Sequence, residues 1–279
     1  MQEEIVVKAP TTEALTPAQI TQKAEDLGVT KTEMSFGRSF ALSIMAGAFI
    51  AMGAMFFSLV VGDPALPFAI QRVLGGFLFC LGLILVVVAG AELFTDNTMI
   101  VMTAASKRIK WSAVWKNWIV VFFGNFLGAL VIVGLVFLSD MSAMNGGQVG
   151  QTMVSVAAGK MHADWLVLFA KGIMCNFLVC LGVWMAYASK TVADKILAVV
   201  FPITAFVACG FEHCVANMFF LPMGALLASC GIAPAGIDPA SVNMLGALYN
   251  WSATVPGNIV GGALMVGMMY WFIYRKKKN

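Results

Sequence analysis

The sequence predicts an all-α membrane protein: six transmembrane helices arranged as two inverted three-helix repeats, with helices two and five interrupted. Three observations carry this reading. Hydrophobic residues make up 60% of the 279-residue chain and charged residues 11%, with a mean hydropathy of +0.88, so there is too little polar surface to cover a soluble globule. The apolar residues gather into six runs of about 20 or more, the length that spans a bilayer as a helix. The two halves of the chain also carry the same short patterns at corresponding places.

Residues 1–35 are polar and include Glu3, Glu4, Lys8, Glu13, Lys23, Glu25 and Asp26, so they read as a cytoplasmic N-terminal arm rather than a cleavable leader. Within the arm, Thr16-Pro17-Ala18-Gln19 is a helix-start signal, and Ile20, Ala24 and Leu27 follow at helical spacing. A short amphipathic helix results, either a surface anchor at the membrane or a mobile plug under a pore mouth. The apolar runs are Phe36–Val61, Val73–Gly90 with a continuation to Ala105, Trp111–Ser139, Trp165–Ser189, Ile196–Gly231 and Trp251–Tyr274. They define a membrane domain over 36–274, followed by a basic tail over 275–279.

Cations fix the orientation. Lys31 and Arg38 precede span one, Lys107, Arg108, Lys110 and Lys116 lie between spans two and three, Lys190 and Lys195 between four and five, and Arg275 to Lys278 follow span six. The opposite loops are read as holding Arg72 and Lys160. Basic loops stay in the cytoplasm, so both termini are placed there.

Spans two and five are too long and too broken to be single helices. Gly90-Ala91-Glu92-Leu93-Phe94-Thr95-Asp96-Asn97 in span two and Gly210-Phe211-Glu212-His213-Cys214-Val215-Ala216-Asn217 in span five share the pattern G-x-E-x4-N. One span later, Gly124-Asn125-Phe126-Leu127-Gly128 matches Gly257-Asn258-Ile259-Val260-Gly261. Each repeat holds three spans, so the second copy enters from the opposite face. Non-helical backbone at membrane depth is tolerated where protein buries it or where it lines a water-filled space. Four half-helices then converge on one site, and their N-terminal ends attract anions.

Chemistry concentrates at these interruptions. His213 is the titratable group there whose unperturbed pKa lies near neutrality. Apolar surroundings oppose its imidazolium form and an arriving anion favours it, so a weak-acid anion could accept a proton and cross the narrowest zone neutral. The bland alternative is a histidine that packs helices together. Glu92 and Glu212 read as structural, accepting backbone N–H groups orphaned where the helices stop, with Gly90, Asn97, Gly210 and Asn217 completing the breaks. Thr95 and Asn176 can bond a small oxyanion or a partner side chain. Phe79, Leu83, Phe94 and Phe206 either constrict a path or simply pack. Lys160 either concentrates anions at a mouth or is an ordinary solvated lysine. The six cysteines lie in apolar runs and read as small hydrophobes, and the spacing of Cys209, His213 and Cys214 fits no usual metal pattern. No metal, cofactor or nucleic-acid partner is expected.

Ala91-Glu92-Leu93-Phe94-Thr95, Gly124-Asn125-x-x-Gly128-Ala129, Asn176-Phe177-Leu178-Val179-Cys180, Phe211-Glu212-His213-x-x-Ala216-Asn217-Met218 and Pro256-Gly257-Asn258 together resemble the formate/nitrite transporter family. The likeness runs from about Gly37 to Trp271. Ala104 to Ile109 and the segment from Lys160 to His162 bring it nearer the formate channels of that family than its nitrite or hydrosulfide branches. The resemblance implies an aquaporin-like protomer, a homopentamer with one conduit per protomer in a bacterial inner membrane, and pH-dependent formate passage without enzymatic activity. It implies a substrate pathway through His213, Thr95, Asn176, Val179 and Lys160, an outer constriction of Phe79, Leu83 and Phe206, an inner one of Leu93 and Phe94, and a pH-sensitive N-terminal arm. A nitrite or hydrosulfide channel is the alternative. A neutral-solute pore and a haem-bearing membrane subunit are the other readings, weakened by the lack of paired Asn-Pro-Ala motifs and by the presence of only two histidines.

Overall fold

The computed structural model describes residues 13–275; the acidic start of the arm and Lys276 to Lys278 of the tail lie outside these residues. Its elements are α1 (Pro17–Glu33), α2 (Phe36–Val61), α3 (Phe68–Leu85, prolonged by a π turn over Val86–Gly90), α4 (Phe94–Asn97), α5 (Val101–Ala105), α6 (Trp111–Leu138), α7 (Gln148–Met161), α8 (Trp165–Ala188), α9 (Val192–Ala208), α10 (Cys214–Ser229), α11 (Met244–Ile259, prolonged by a π stretch over Val260–Met268) and α12 (Met269–Tyr274). No strand occurs among the described residues.

Five helical segments are long and apolar enough to cross a membrane: Phe36–Val61, Phe68–Gly90, Trp111–Leu138, Trp165–Ala188 and Met244–Tyr274. The remaining crossing, the fifth in chain order, is assembled from two shorter apolar helices, α9 and α10. The interruptions are therefore unequal. In the second crossing 23 residues precede the break, whereas the fifth is divided into helices of 17 and 16 residues.

Three spans begin earlier than their apolar runs suggest, because polar residues at their starts have partners inside the fold. Arg72, in the first turns of α3, donates to the carbonyls of Ala208 and Val207 at 2.9 and 2.7 Å. Asp194 closes a capping box with Thr191 at the start of α9. Asn250 of α11 is fully buried and hydrogen-bonded.

The repeat is one helix larger than the sequence suggests. Residues 148–161, read as a loop, form α7, which buries Val149, Met153, Val154, Ala157 and Ala158 against the bundle. It stands before the second set of three spans as α1 stands before the first. The α1 helix begins as expected, with a Thr16–Gln19 capping box, and it is packed rather than peripheral: Ile20, Thr21, Ala24, Glu25 and Gly28 are buried beneath α5, α8 and α12. Leu15 also donates its N–H to the Ala188 carbonyl at 3.3 Å.

Each half closes on itself through helices in near-backbone contact. A methyl at Gly128 would lie 1.9 Å from the Ile44 carbonyl oxygen, and one at Gly261 would lie 2.2 Å from that of Ile173. Small residues at these points let α6 approach α2 and the end of α11 approach α8.

Candidate functional site: the paired helix breaks

Each break starts with a glycine in the left-handed region, Gly90 at φ +85° and Gly210 at φ +71°, a conformation that lets the helix end and the chain turn into extended backbone. After three more residues the next helix starts, at Phe94 in one half and Cys214 in the other. An asparagine from the adjoining helix pins each interruption. Asn125 Oδ1 accepts the Phe94 N–H at 2.9 Å while its Nδ2 donates to the carbonyls of Ser43 and Glu92 at 2.7 and 2.9 Å. Asn258 does the same in the second half, accepting from Cys214 N–H at 2.9 Å and donating to Gly172 and Glu212 carbonyls, both at 2.8 Å.

This corrects the role expected of the glutamates. One orphaned backbone N–H at each half-helix start, that of Phe94 and that of Cys214, is taken by Asn125 and Asn258 rather than by a glutamate. Glu92 and Glu212 instead anchor a second polar layer. Asn97 Nδ2 donates to Glu92 Oε2 and Asn117 Oδ1, both at 2.8 Å; Asn217 Nδ2 donates to Glu212 Oε2 at 2.7 Å and Asn250 Oδ1 at 2.8 Å. Each layer is met by a lysine from the helix that precedes its three spans. Lys31 of α1 lies 3.7 Å from Glu92 and 2.6 Å from both Asp96 Oδ2 and Asn97 Oδ1. Lys160 of α7 lies 3.0 Å from Glu212 Oε1. Lys160 is thus neither solvated nor an unpaired attractor: its side chain is 16% exposed and its charge is met by a carboxylate. Among the described buried side-chain polar atoms, Asn217 Oδ1 alone has no hydrogen-bond partner, whereas its counterpart on Asn97 accepts from Lys31.

Where the repeats differ, the chemistry appears. His213 stands at the position occupied by Leu93 in the first half, three residues after its glycine. It is 2% exposed and caps α10, with Nδ1 accepting the Ala216 N–H at 3.0 Å. The neutral ring therefore carries its proton on Nε2, which lies 2.9 Å from Thr95 Oγ1, so the ring donates to the Thr95 hydroxyl. One break presents the imidazole and the other presents the hydroxyl.

A cavity of about 210 Å³ opens above this pair on the α7 side, lined by Phe79, Phe206, Lys160, Lys171, Glu212 and His213 among others. Phe79 and Phe206 meet edge to face at 5.7 Å, and Phe206 lies 5.8 Å from the imidazole. A second cavity of about 520 Å³ opens on the α1 side and reaches Val86, Glu92 and Asp96. Along α3, Phe79 faces the first cavity and Val86 the second, a separation of roughly 10 Å at helical rise. Leu83 lies between them, 2% exposed, and Leu93 and Phe94 are as deeply buried. Neither cavity is lined by these three residues.

Asn176 and Val179 sit on α8 behind Thr95 and line neither cavity. Asn176 Nδ2 donates to the Asn258 and Thr95 carbonyls and to Thr98 Oγ1, at 2.7, 3.2 and 3.1 Å, which fixes the backbone of one break to the other half. His162 lies at the surface against the Ser241 carbonyl. Of the cysteines, Cys80, Cys175, Cys180 and Cys214 are buried as expected, and Cys209 and Cys230 are exposed at helix ends. Among the described residues no three His, Cys, Asp or Glu side chains converge as a metal site would require.

Three features escaped the sequence reading. Asn125 and Asn258 belong to the recognised G-N-x-x-G pattern, and a mid-span asparagine beside glycines is itself a signal of buried backbone pairing. Lys31 was read as an orientation cation alone. Lys171 is the one charged residue within Trp165–Ala188, and an ionisable group inside a spanning run marks a pathway by default. It lines the cavity above His213, and among the described residues no carboxylate lies within 4 Å of its ammonium.

Residues 18–272 match the family model described as formate/nitrite transporter. The formate channel FocA of Escherichia coli K12 is 39% identical over 95% of this chain and 96% of its own length, and that of Haemophilus influenzae is 39% identical over 91% and 93%. A solved structure described as a pentameric formate channel with formate bound superposes with a TM-score of 0.77 at 37% identity, covering 86% of this chain and 98% of that one. An FNT family ion channel superposes with a TM-score of 0.80 at 27% identity, over 91% and 98%. Paired broken helices, pinned by matching asparagines and spanning nearly the whole length of these relatives, leave a plain conclusion: this multi-pass membrane chain belongs to the formate/nitrite transporter family.

Proposed function

We propose that this protein is a formate channel, a passive path for a small monovalent weak-acid anion rather than an enzyme, in which His213 and Thr95 exchange a proton with the passing acid. The observation that carries this reading is the 2.9 Å contact between His213 Nε2 and Thr95 Oγ1 at the floor of the outer cavity, beside the Phe79–Phe206 pair. An anion entering from that cavity meets His213, and behind the ring lies the Thr95 hydroxyl, whose own proton is free to be donated because the oxygen is already accepting from the ring. A proton taken up from the outer solution passes to the anion at this pair, which ends as it began, and the species is then neutral for the apolar stretch past Leu83, Leu93 and Phe94, where an anion would pay a large desolvation cost. On the far side the larger cavity rehydrates it and lets the proton go.

The formate channels among its relatives, and the solved pentamer with formate bound, support formate as the substrate and five protomers as the assembly. Both termini are assigned to the cytoplasm of a bacterial inner membrane on the distribution of lysine and arginine. The α1 cavity is then cytoplasmic and the α7 cavity external. Lys160 supports the outer mouth by holding Glu212 in place, and Lys171 supplies the uncompensated charge that draws the anion in.

Flux into liposomes holding the purified protein tests this. Formate should pass faster than acetate or nitrite, and water should not follow. Nitrite outrunning formate would move the protein to another branch of the family; water permeation without formate flux would make it a neutral-solute pore.

A further inference from the structure

The inner cavity carries more positive charge than passage of a monovalent acid requires. Lys23 of α1, Arg38 of α2 and Lys195 of α9 line it together with Lys31. Glu92 and Asp96 line it too, share Lys31 between them, and leave the four cations in excess over the two carboxylates. Among the described residues, no carboxylate lies within 4 Å of the cationic heads of the other three. Lys23 Nζ is held over the cavity by the Tyr187 carbonyl, to which it donates at 2.7 Å, a contact that positions the ammonium without neutralising it. Burial lowers the pKa of Lys23, and repulsion from Lys195 and Lys190 lowers it further, so these cations are close enough to disfavour one another. Three helices, the consecutive α1 and α2 and the distant α9, bring them to one rim, around a space of about 520 Å³ that is more than twice the outer cavity.

Convergent uncompensated cations on separate rigid elements suit an anion with several charged oxygens, which can bond more than one of them at once. We propose that the inner cavity is a binding site for a polyvalent oxyanion of the diphosphate or polycarboxylate class, which seats between Lys23, Arg38 and Lys195 and blocks the passage of the monovalent substrate from that side. The blocking half of the proposal rests on the channel reading above; the binding half does not. The selectivity is a matter of size and charge: a one-carbon acid makes one such contact and passes on, whereas a larger anion makes several and cannot enter the apolar stretch beyond Val86.

The test uses inorganic diphosphate. Titrated calorimetrically at fixed ionic strength into the full chain in neutral-lipid nanodiscs, it should bind saturably, and Lys23→Gln with Lys195→Gln, which removes two charge-assisted contacts, should weaken that binding by about ten-fold or more. Melting temperature reports whether the variants fold, and Arg38→Gln, at an exposed position, is the second variant expected to weaken binding. In liposomes, diphosphate on the inner-cavity side should reduce formate flux and diphosphate on the outer side should not. Absence of saturable binding to the wild type, or binding unchanged in both variants, would overturn the proposal. Nanodiscs containing anionic lipid separate the sources: if the lipid abolishes diphosphate binding, the rim serves membrane headgroups and the soluble-anion site is refuted. Binding is read without flux, so a missing formate current would sink the channel reading alone, and missing heat would sink this one alone.

Discussion

His213 uses both ring nitrogens, one on the backbone of its own helix start and one on a hydroxyl from the opposite repeat. That division of labour sets what substitutions should do. Phenylalanine at 213 keeps the bulk beside Phe206 but removes the cap and the donor, so the pH dependence of formate flux should be lost or strongly altered; an unchanged profile, measured in liposomes over a range of external pH, would take the ring out of proton exchange. The lysines divide the outer mouth differently. Removing one member of the buried Lys160–Glu212 pair leaves the other charge stranded, at a cost of roughly 3–5 kcal/mol. Lys160→Met should therefore lower the melting temperature markedly, and adding Glu212→Gln should recover part of the loss. Lys171 has no such partner, so Lys171→Gln should leave folding nearly intact while slowing anion entry from outside, most clearly at low salt where attraction is least screened. If the two lysines behave alike in both assays, the distinction between a structural and a steering cation is wrong.

At the level of elements, much of this architecture was legible because it rests on backbone requirements that few residues meet. Gly90 and Gly210 are needed for a left-handed turn, and their common spacing to Glu and Asn exposed the duplication. The α1 and α7 helices were harder to place. They are too short and too polar to register as spans, and their relation becomes visible only when Lys31 and Lys160 are seen to end on equivalent glutamates across 61 and 52 residues of chain. Such pairings are tertiary, and no local periodicity reports them. The docking of α1 also makes a prediction with a definite sign. Burial opposes the charge on Lys31, but Asp96 and then Glu92 outweigh it and raise its pKa above the usual lysine value. A raised pKa means that the ammonium's contribution to docking is complete below the unfolded value and is lost only as pH climbs through the higher folded one. Protection of α1 from proteolysis should accordingly show no loss attributable to Lys31 from neutrality to about pH 10, the unfolded lysine value. Lys31→Met should expose the arm throughout that range. Equal protection in the variant would show that Glu25, buried against Ser106, and the apolar face of Ile20 and Ala24 hold the helix unaided.

For the whole molecule, the point of a duplicated scaffold with unequal contents is that the frame and the chemistry are separable. The asparagine pins, the glutamates, the paired Asn97 and Asn217 amides and the lysines recur in both halves with hydrogen bonds that agree to within about a tenth of an ångström for the pins and amides. What does not recur is the facing pair: His213 has Leu93 as its counterpart, and Thr95 has Val215. A frame this regular should accept the pair the other way round. Exchanging all four residues, as Leu93→His, Thr95→Val, His213→Leu and Val215→Thr, places an imidazole at the N-cap of α4 and a hydroxyl at the first turn of α10. The exchanged protein should fold with a melting temperature near that of the parent and should pass formate with a retained pH response. The half-exchange His213→Leu with Val215→Thr, which leaves no imidazole at either break, should lose that response. If the full exchange folds but conducts without pH dependence, proton exchange depends on the surroundings peculiar to one half, with Asp96 against Ala216 the first difference to examine, and not on the facing pair itself.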